Sequence, residues 1–173
     1  MRLRKLARRK RAMENSLLRH RGWHLAARLI LGSVFIYAGI VKMSSPLEFA
    51  DHIAAYQLLP ADMSNLMALA LPPFEIICGL LVLTGFHIRI GAIGISIMLL
   101  VFMAAIATAL KRGLHIDCGC FGGNSWLESN LWLALAHNGA LLLLAVFIYR
   151  QSITASRRLS TAFEAASPFR ART

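Results

Sequence analysis

A chain of 173 residues that is 57% hydrophobic and 16% charged, with a mean hydropathy of +0.59, is too apolar for a water-soluble domain and reads as a polytopic membrane protein. Its formal net charge of +11 would point to nucleic acid in a soluble chain. Here nine Lys/Arg precede Trp23 and five follow Tyr149. The charge therefore lies in tails flanking an apolar body, the lipid bilayer is the first partner, and nucleic acid is excluded.

The basic segment 1–23 places Leu3, Leu6, Met13 and Leu17 near one helical face, with Trp23 where an interfacial aromatic belongs. It is either a helix lying on an anionic leaflet or a disordered tail that enforces topology. Four apolar segments follow, at 24–43, 64–86, 90–110 and 131–149. Each has the roughly 20 helical residues needed to cross a hydrocarbon core of about 30 Å. The first is too long for a signal-peptide core and has no A-x-A cleavage site, so it is expected to remain as a span. The chain divides into a basic tail (1–23), a four-helix membrane domain (24–149) and a second basic tail (150–173).

Between the first two spans, Ser45-Pro46-Leu47-Glu48 has the pattern of a capping box. Phe49, Ile53 and Tyr56 then recur at i, i+4 and i+7, which predicts a short amphipathic helix along the membrane surface. Pro72-Pro73 should kink the second span in its outer half. Gly91 and Gly94 in the third span and Gly139 in the fourth permit close helix approach. The expected fold is all-α, a four-transmembrane-helix bundle with a short periplasmic surface helix.

Sixteen Lys/Arg fall on the side of the two tails and the Arg89 turn, and three, Lys42, Lys111 and Arg112, on the other. Both termini are therefore expected to be cytoplasmic. The 44–63 and 111–129 connections then face outward, which for a bacterial cell inner membrane means the periplasm, where disulfides persist.

Two of the three cysteines lie on that outward side, as Asp117-Cys118-Gly119-Cys120-Phe121-Gly122. Two thiols there form a disulfide, exchange with a partner, or bind a metal. Cα atoms two residues apart reach about 7 Å when extended, whereas disulfide geometry favours roughly 5.5–6 Å. Closing the C-x-C ring thus needs a bent backbone, which Gly119 permits, and a strained disulfide is suited to exchange. Lys111, Arg112 and a protonated His115 would favour the thiolate, and Asp117 would oppose it. The alternatives are a static disulfide, or a metal site of His115, Cys118 and Cys120 suited to Cu(I) or Zn(II). Cys78 lies about 21 Å down the second span and reads as a core thiol.

Inside the spans, Glu75 must be partnered or protonated, because an ionised carboxylate there costs around 2.5–3.5 kcal/mol on insertion scales. By depth it lies about 16 Å from the outer end of its span, with His137 and Asn138 about 9–11 Å and Tyr37 about 9 Å down theirs. Lys42 is placed near the outer surface above them. These residues either pack the helices together or form a proton path or the head-group site of a membrane quinone.

Gly32-x-Val34-Phe35-x-x-Ala38-Gly39-x-x-Lys42, Phe49 with Tyr56-x-Leu58-Leu59-Pro60, Leu71-Pro72-x-x-Glu75 and Asp117-Cys118-Gly119-Cys120-Phe121-Gly122 together resemble the MauE family, which is related to DoxX-like membrane proteins. The resemblance implies a four-helix membrane protein tied to periplasmic redox chemistry and methylamine utilisation. It implies a role in maturing a disulfide-rich client such as the methylamine dehydrogenase small subunit. It carries over Cys118 and Cys120 as the redox pair, and Lys42, Glu75 and Asn138 as polar positions. His137-Asn138 stands where family members often have Arg-Asn.

The leading expectation is a thiol-disulfide oxidoreductase accessory that works with a periplasmic thioredoxin-like or disulfide-rich client. The alternatives are a non-catalytic membrane chaperone or subunit with a structural C-G-C loop, and a metal-handling or transport protein.

Overall fold

A computed structural model describes residues 2–114 and 130–166 as five helices: α1 (Arg2–Ser44), α2 (Pro46–Ala55), α3 (Ala61–Thr84), α4 (Ile88–Lys111) and α5 (Leu131–Ala166). Four carry stretches long and apolar enough to cross a membrane, at Gly22–Ser44, Asp62–Thr84, Ile88–Lys111 and Leu131–Thr154. These are the four expected spans, the last of them extending five residues further than the hydropathy pattern set it. Only 33% of each apolar stretch is buried within the bundle. The outward faces carry Leu29, Ile30, Ile77, Ile97, Leu100 and Leu143, a surface that lipid covers and water would not. The bundle is thus all-α and membrane-embedded, and among the described residues there is no strand.

α1 packs most extensively on α3, α5 on α4, and α3 joins the two pairs through α4. The α1–α3 approach is set by small residues. A Cβ on Gly32 would lie 2.9 Å from the Gly79 carbonyl oxygen, one on Gly39 would lie 2.9 Å from the Pro72 carbonyl oxygen, and one on Gly79 would lie 3.0 Å from the Gly32 carbonyl oxygen. The backbones therefore meet where side chains would hold them apart. Gly32 faces Gly79 and Gly39 faces Pro72, so α1 and α3 run antiparallel in a fixed register. Hydropathy reading does not single out these three glycines. It does find Gly91 and Gly94, whose added Cβ atoms would meet the Cys78 carbonyl oxygen at 2.9 Å and its Sγ at 2.6 Å. Gly139, expected to be a third approach point, has nothing within 4 Å.

The Pro72-Pro73 pair lies inside one uninterrupted helix. Proline's fixed φ is compatible with helix, and Pro72 is sealed into the α1 contact. Cys78 is buried in the main apolar cluster with Leu31, Phe35, Val82 and Leu99, the packed core thiol that its depth implied.

α2 starts where Ser45-Pro46 places it, but the capping box does not form. Ser45 makes no side-chain capping bond. The Phe49 N–H donates instead to the Ser45 carbonyl at 3.1 Å, and Pro46 has no N–H to satisfy. The face of α2 is the expected one: Phe49 and Ala50 pack on Ala68 of α3, and Tyr56 packs with Ile106, Ala109 and Leu131.

Arginines fasten both ends. Arg28 Nε donates to the Val82 carbonyl at 2.9 Å and Nη2 to the Leu83 carbonyl at 3.1 Å, placing a cation on the orphan carbonyls at the C-terminus of α3. Gly85, at φ +85°, turns the chain there. At the other end, Arg112 Nη1 donates to the Tyr56 and Gln57 carbonyls at 3.3 and 3.4 Å, tying the end of α4 to the end of α2.

Replacing Gly39 by Leu forces a side chain into the α3 backbone. We expect a loss of about 1–3 kcal/mol, as for overpacked cores, read as a lower unfolding midpoint in detergent, while Gly139→Ala leaves the midpoint unchanged.

Candidate functional site

The α1–α3 register brings two charges together inside the bundle. Gly39 lies against Pro72, and antiparallel pairing puts Lys42 nearer the α2 end than Glu75 by about six residues, or roughly 9 Å. Helical side chains tilt toward their own N-terminus. In antiparallel neighbours, Lys42 therefore leans inward along α1 while Glu75 leans toward it along α3. Their long side chains close the gap, and Lys42 Nζ donates to Glu75 Oε1 at 2.5 Å.

Both groups are out of solvent, with Lys42 4% and Glu75 1% exposed. The position expected for Lys42, near the surface above the cluster, is accordingly corrected: its backbone is near the end of α1, but its ammonium is drawn into the core. The rings of Phe49 from α2 and Phe102 from α4 lie 5.1 and 5.2 Å from Nζ. Each gives the cation a second electrostatic partner and closes the pair off. Sequence reading placed Phe49 on the packing face of α2 and in the family pattern but not beside Lys42, and it did not find Phe102. An isolated phenylalanine in an apolar span carries no signal of its own.

His137 and Asn138 of α5 complete the group. With Lys42 and Glu75 they line a cavity of about 30 Å³ whose remaining wall is apolar, including Val34, Phe35, Leu99 and Leu141. Four of the five polar residues grouped by depth thus share one chamber. Tyr37 does not: it is 59% exposed on the outer face of α1. Depth along a helix cannot give the facing, and Tyr37 lies five residues from Lys42, on a different side of the helix.

Within the chamber, hydrogen bonding is incomplete. Glu75 Oε1 accepts from Lys42, but among the described residues Glu75 Oε2 and Asn138 Nδ2 have no hydrogen-bond partner. A water needs about 10–15 Å³, so the volume suits about two water-sized occupants.

The cluster lies beneath the end of the bundle where the 115–129 connection begins and finishes. Phe102 is nine residues in from Lys111, and His137 is six in from Leu131. His115, Asp117, Cys118 and Cys120 lie outside the described residues. Among the described residues no group of three or more His, Cys, Asp or Glu could hold a metal.

Removing one member of the Lys42–Glu75 pair leaves the other charged and buried, which typically costs about 3–5 kcal/mol. Lys42→Met and Glu75→Leu should each lower the unfolding midpoint in detergent sharply. The double variant should recover most of the loss, which a double-mutant cycle will show.

Comparison with known proteins places these observations in a family. The description "Methylamine utilisation protein MauE" matches residues 22–150. The chain is 34% identical over 125 residues to a methylamine utilization protein MauE of Paracoccus denitrificans, covering 71% of this chain and 66% of the relative. It is 31% identical over 124 residues to that of Paracoccus versutus, with the same shares. Against that of Methylophilus methylotrophus it is 35% identical over 95 residues, 54% of this chain and 50% of the relative. The chain thus spans just under two thirds of the Paracoccus proteins' length. No solved structure matches it.

Proposed function

The chain belongs to the methylamine utilisation protein MauE family, and from that premise we propose that it is an inner-membrane redox accessory that helps mature a periplasmic client of methylamine utilisation. In this reading both termini are cytoplasmic, the basic segments 1–23 and 150–173 flank the membrane domain 24–149, and the α2 end of the bundle faces the periplasm. Lysine and arginine counts on the two sides support that orientation.

The observation that carries the reading is the coincidence of two features at one end of the bundle. The 115–129 connection, which holds Cys118 and Cys120, starts and ends there. The buried Lys42, Glu75, His137 and Asn138 cluster lies in the half of the bundle nearer that end. A membrane protein that only filled space would gain nothing from an ion pair in its core, since apolar packing is at least as stable.

The chemistry is thiol–disulfide exchange. A client thiolate attacks one sulfur of the Cys118–Cys120 disulfide, giving a mixed disulfide and releasing the other cysteine as a thiolate that takes a proton. A second client thiolate resolves the mixed disulfide, so the client gains one disulfide and Cys118 and Cys120 become a dithiol. Exchange with the disulfide of a thioredoxin-like protein regenerates the pair. Each step conserves the number of disulfides, and the reverse direction uses the same groups. The client in this reading is a disulfide-rich periplasmic protein, with the methylamine dehydrogenase small subunit as the specific candidate.

Alkylation with a mass tag in intact membranes should show Cys118 and Cys120 in both oxidised and reduced forms. Cys120→Ser should trap a mixed disulfide with the client, and Cys118→Ser should abolish client maturation. If the pair is permanently oxidised and both serine variants still mature the client, the loop is structural and the exchange reading fails. Partner co-purification regardless of the cysteines would then favour a membrane chaperone.

A further inference from the structure

The chamber lined by Lys42, Glu75, His137 and Asn138 has a composition that an ion pair alone does not require. Apart from the Lys42 contact it presents one buried acceptor, Glu75 Oε2, and one buried donor, Asn138 Nδ2, each without a hydrogen-bond partner among the described residues. Glu75 is 1% and Asn138 4% exposed. Leaving a buried polar atom unsatisfied costs about 1–3 kcal/mol, and more for a charged group. Both atoms line the same cavity of about 30 Å³.

Within the chamber the Lys42 cation and the Glu75 anion offset each other's charge. Its volume accommodates about two waters. An unpartnered acceptor and an unpartnered donor on one small cavity point to water as the ligand class.

We propose that this chamber is a hydrated proton-binding site, in which water bridges Glu75 Oε2 to Asn138 Nδ2 and Glu75 takes up a proton delivered through that water. In the step, a hydronium gives its proton to the Glu75 carboxylate, leaving a carboxylic acid and a water, while Lys42 keeps its ammonium. An ordinary buried ion pair resists this change because the cation would be stranded. Here Lys42 Nζ retains the Phe49 and Phe102 faces at 5.1 and 5.2 Å, partners that do not depend on the charge of Glu75. The titratable or charged side chains facing Glu75 are Lys42 from α1 and His137 from α5. α4 contributes Leu99 and Phe102 to the wall, and α2 contributes the Phe49 ring over Lys42. The site does not rest on the cysteine chemistry, and it stands or falls separately from it.

Difference infrared spectroscopy of the full chain in lipid nanodiscs, titrated with acid, tests the proposal. We expect a carboxylic-acid C=O band that appears on acidification, shifts in D2O and is missing in Glu75→Gln. We also expect an O–H band that shifts in H2¹⁸O. Asn138→Leu keeps the ion pair, so it reports even if the Glu75 variant fails to fold. It should shift the carboxyl band and remove the ¹⁸O-sensitive band. A wild-type chain with no ¹⁸O-sensitive band has a dry chamber, and one with no Glu75 carboxyl band over the pH range in which it stays folded does not bind the proton; either result overturns the proposal. Serine replacement of Cys118 and Cys120 should leave both bands in place.

Discussion

The burial of one lysine and one glutamate against each other, in a bundle otherwise made of apolar side chains, is the constraint around which this protein is arranged. Taking either charge out of water alone is expensive, and pairing them offsets part of that cost. The pair therefore demands that α1 and α3 meet closely, in one register, with their side chains converging from opposite directions. Gly32, Gly39 and Gly79 allow that approach. Arg28, bonded to the α3 C-terminal carbonyls, holds the same two helices at the far end.

Other elements follow from the need to shield the pair. α2 has a single buried aromatic near its start, Phe49, and that ring covers the ammonium from one side. Phe102 of α4 covers it from the other. α5 contributes two of the four polar residues of the chamber, and its own packing on α4 fixes where they lie. All five helices thus converge on one buried point, and the α2 helix serves as its roof as well as a connection between spans.

The same geometry links the roof to the segment that carries the cysteines. Arg112 at the end of α4 bonds the backbone at the end of α2, so the start of the 115–129 connection and the cover of the polar chamber share an anchor.

Much of the fold was legible in the sequence because the bilayer imposes a length and an apolar composition on every span, and amphipathic spacing does the same for α2. The need of Glu75 for a partner was also legible, since a charge in hydrocarbon has few options. Distance along a helix, however, fixes depth and leaves facing open. Depth alone grouped Tyr37 with the cluster and put the Lys42 charge at the surface. Helix packing turned Tyr37 outward and Lys42 inward. Gly139 matched a packing pattern yet has open space where a side chain would stand, while Gly32, Gly39 and Gly79 set the main contact, because whether a small residue meets a neighbour depends on which face the neighbour occupies. The sequence by itself determined four apolar helices, a basic-tailed body and a short list of polar residues inside it. Only the tertiary structure decided which of them share a chamber, because side-chain direction is set by the rotation and register of packed helices, and no single helix carries that information.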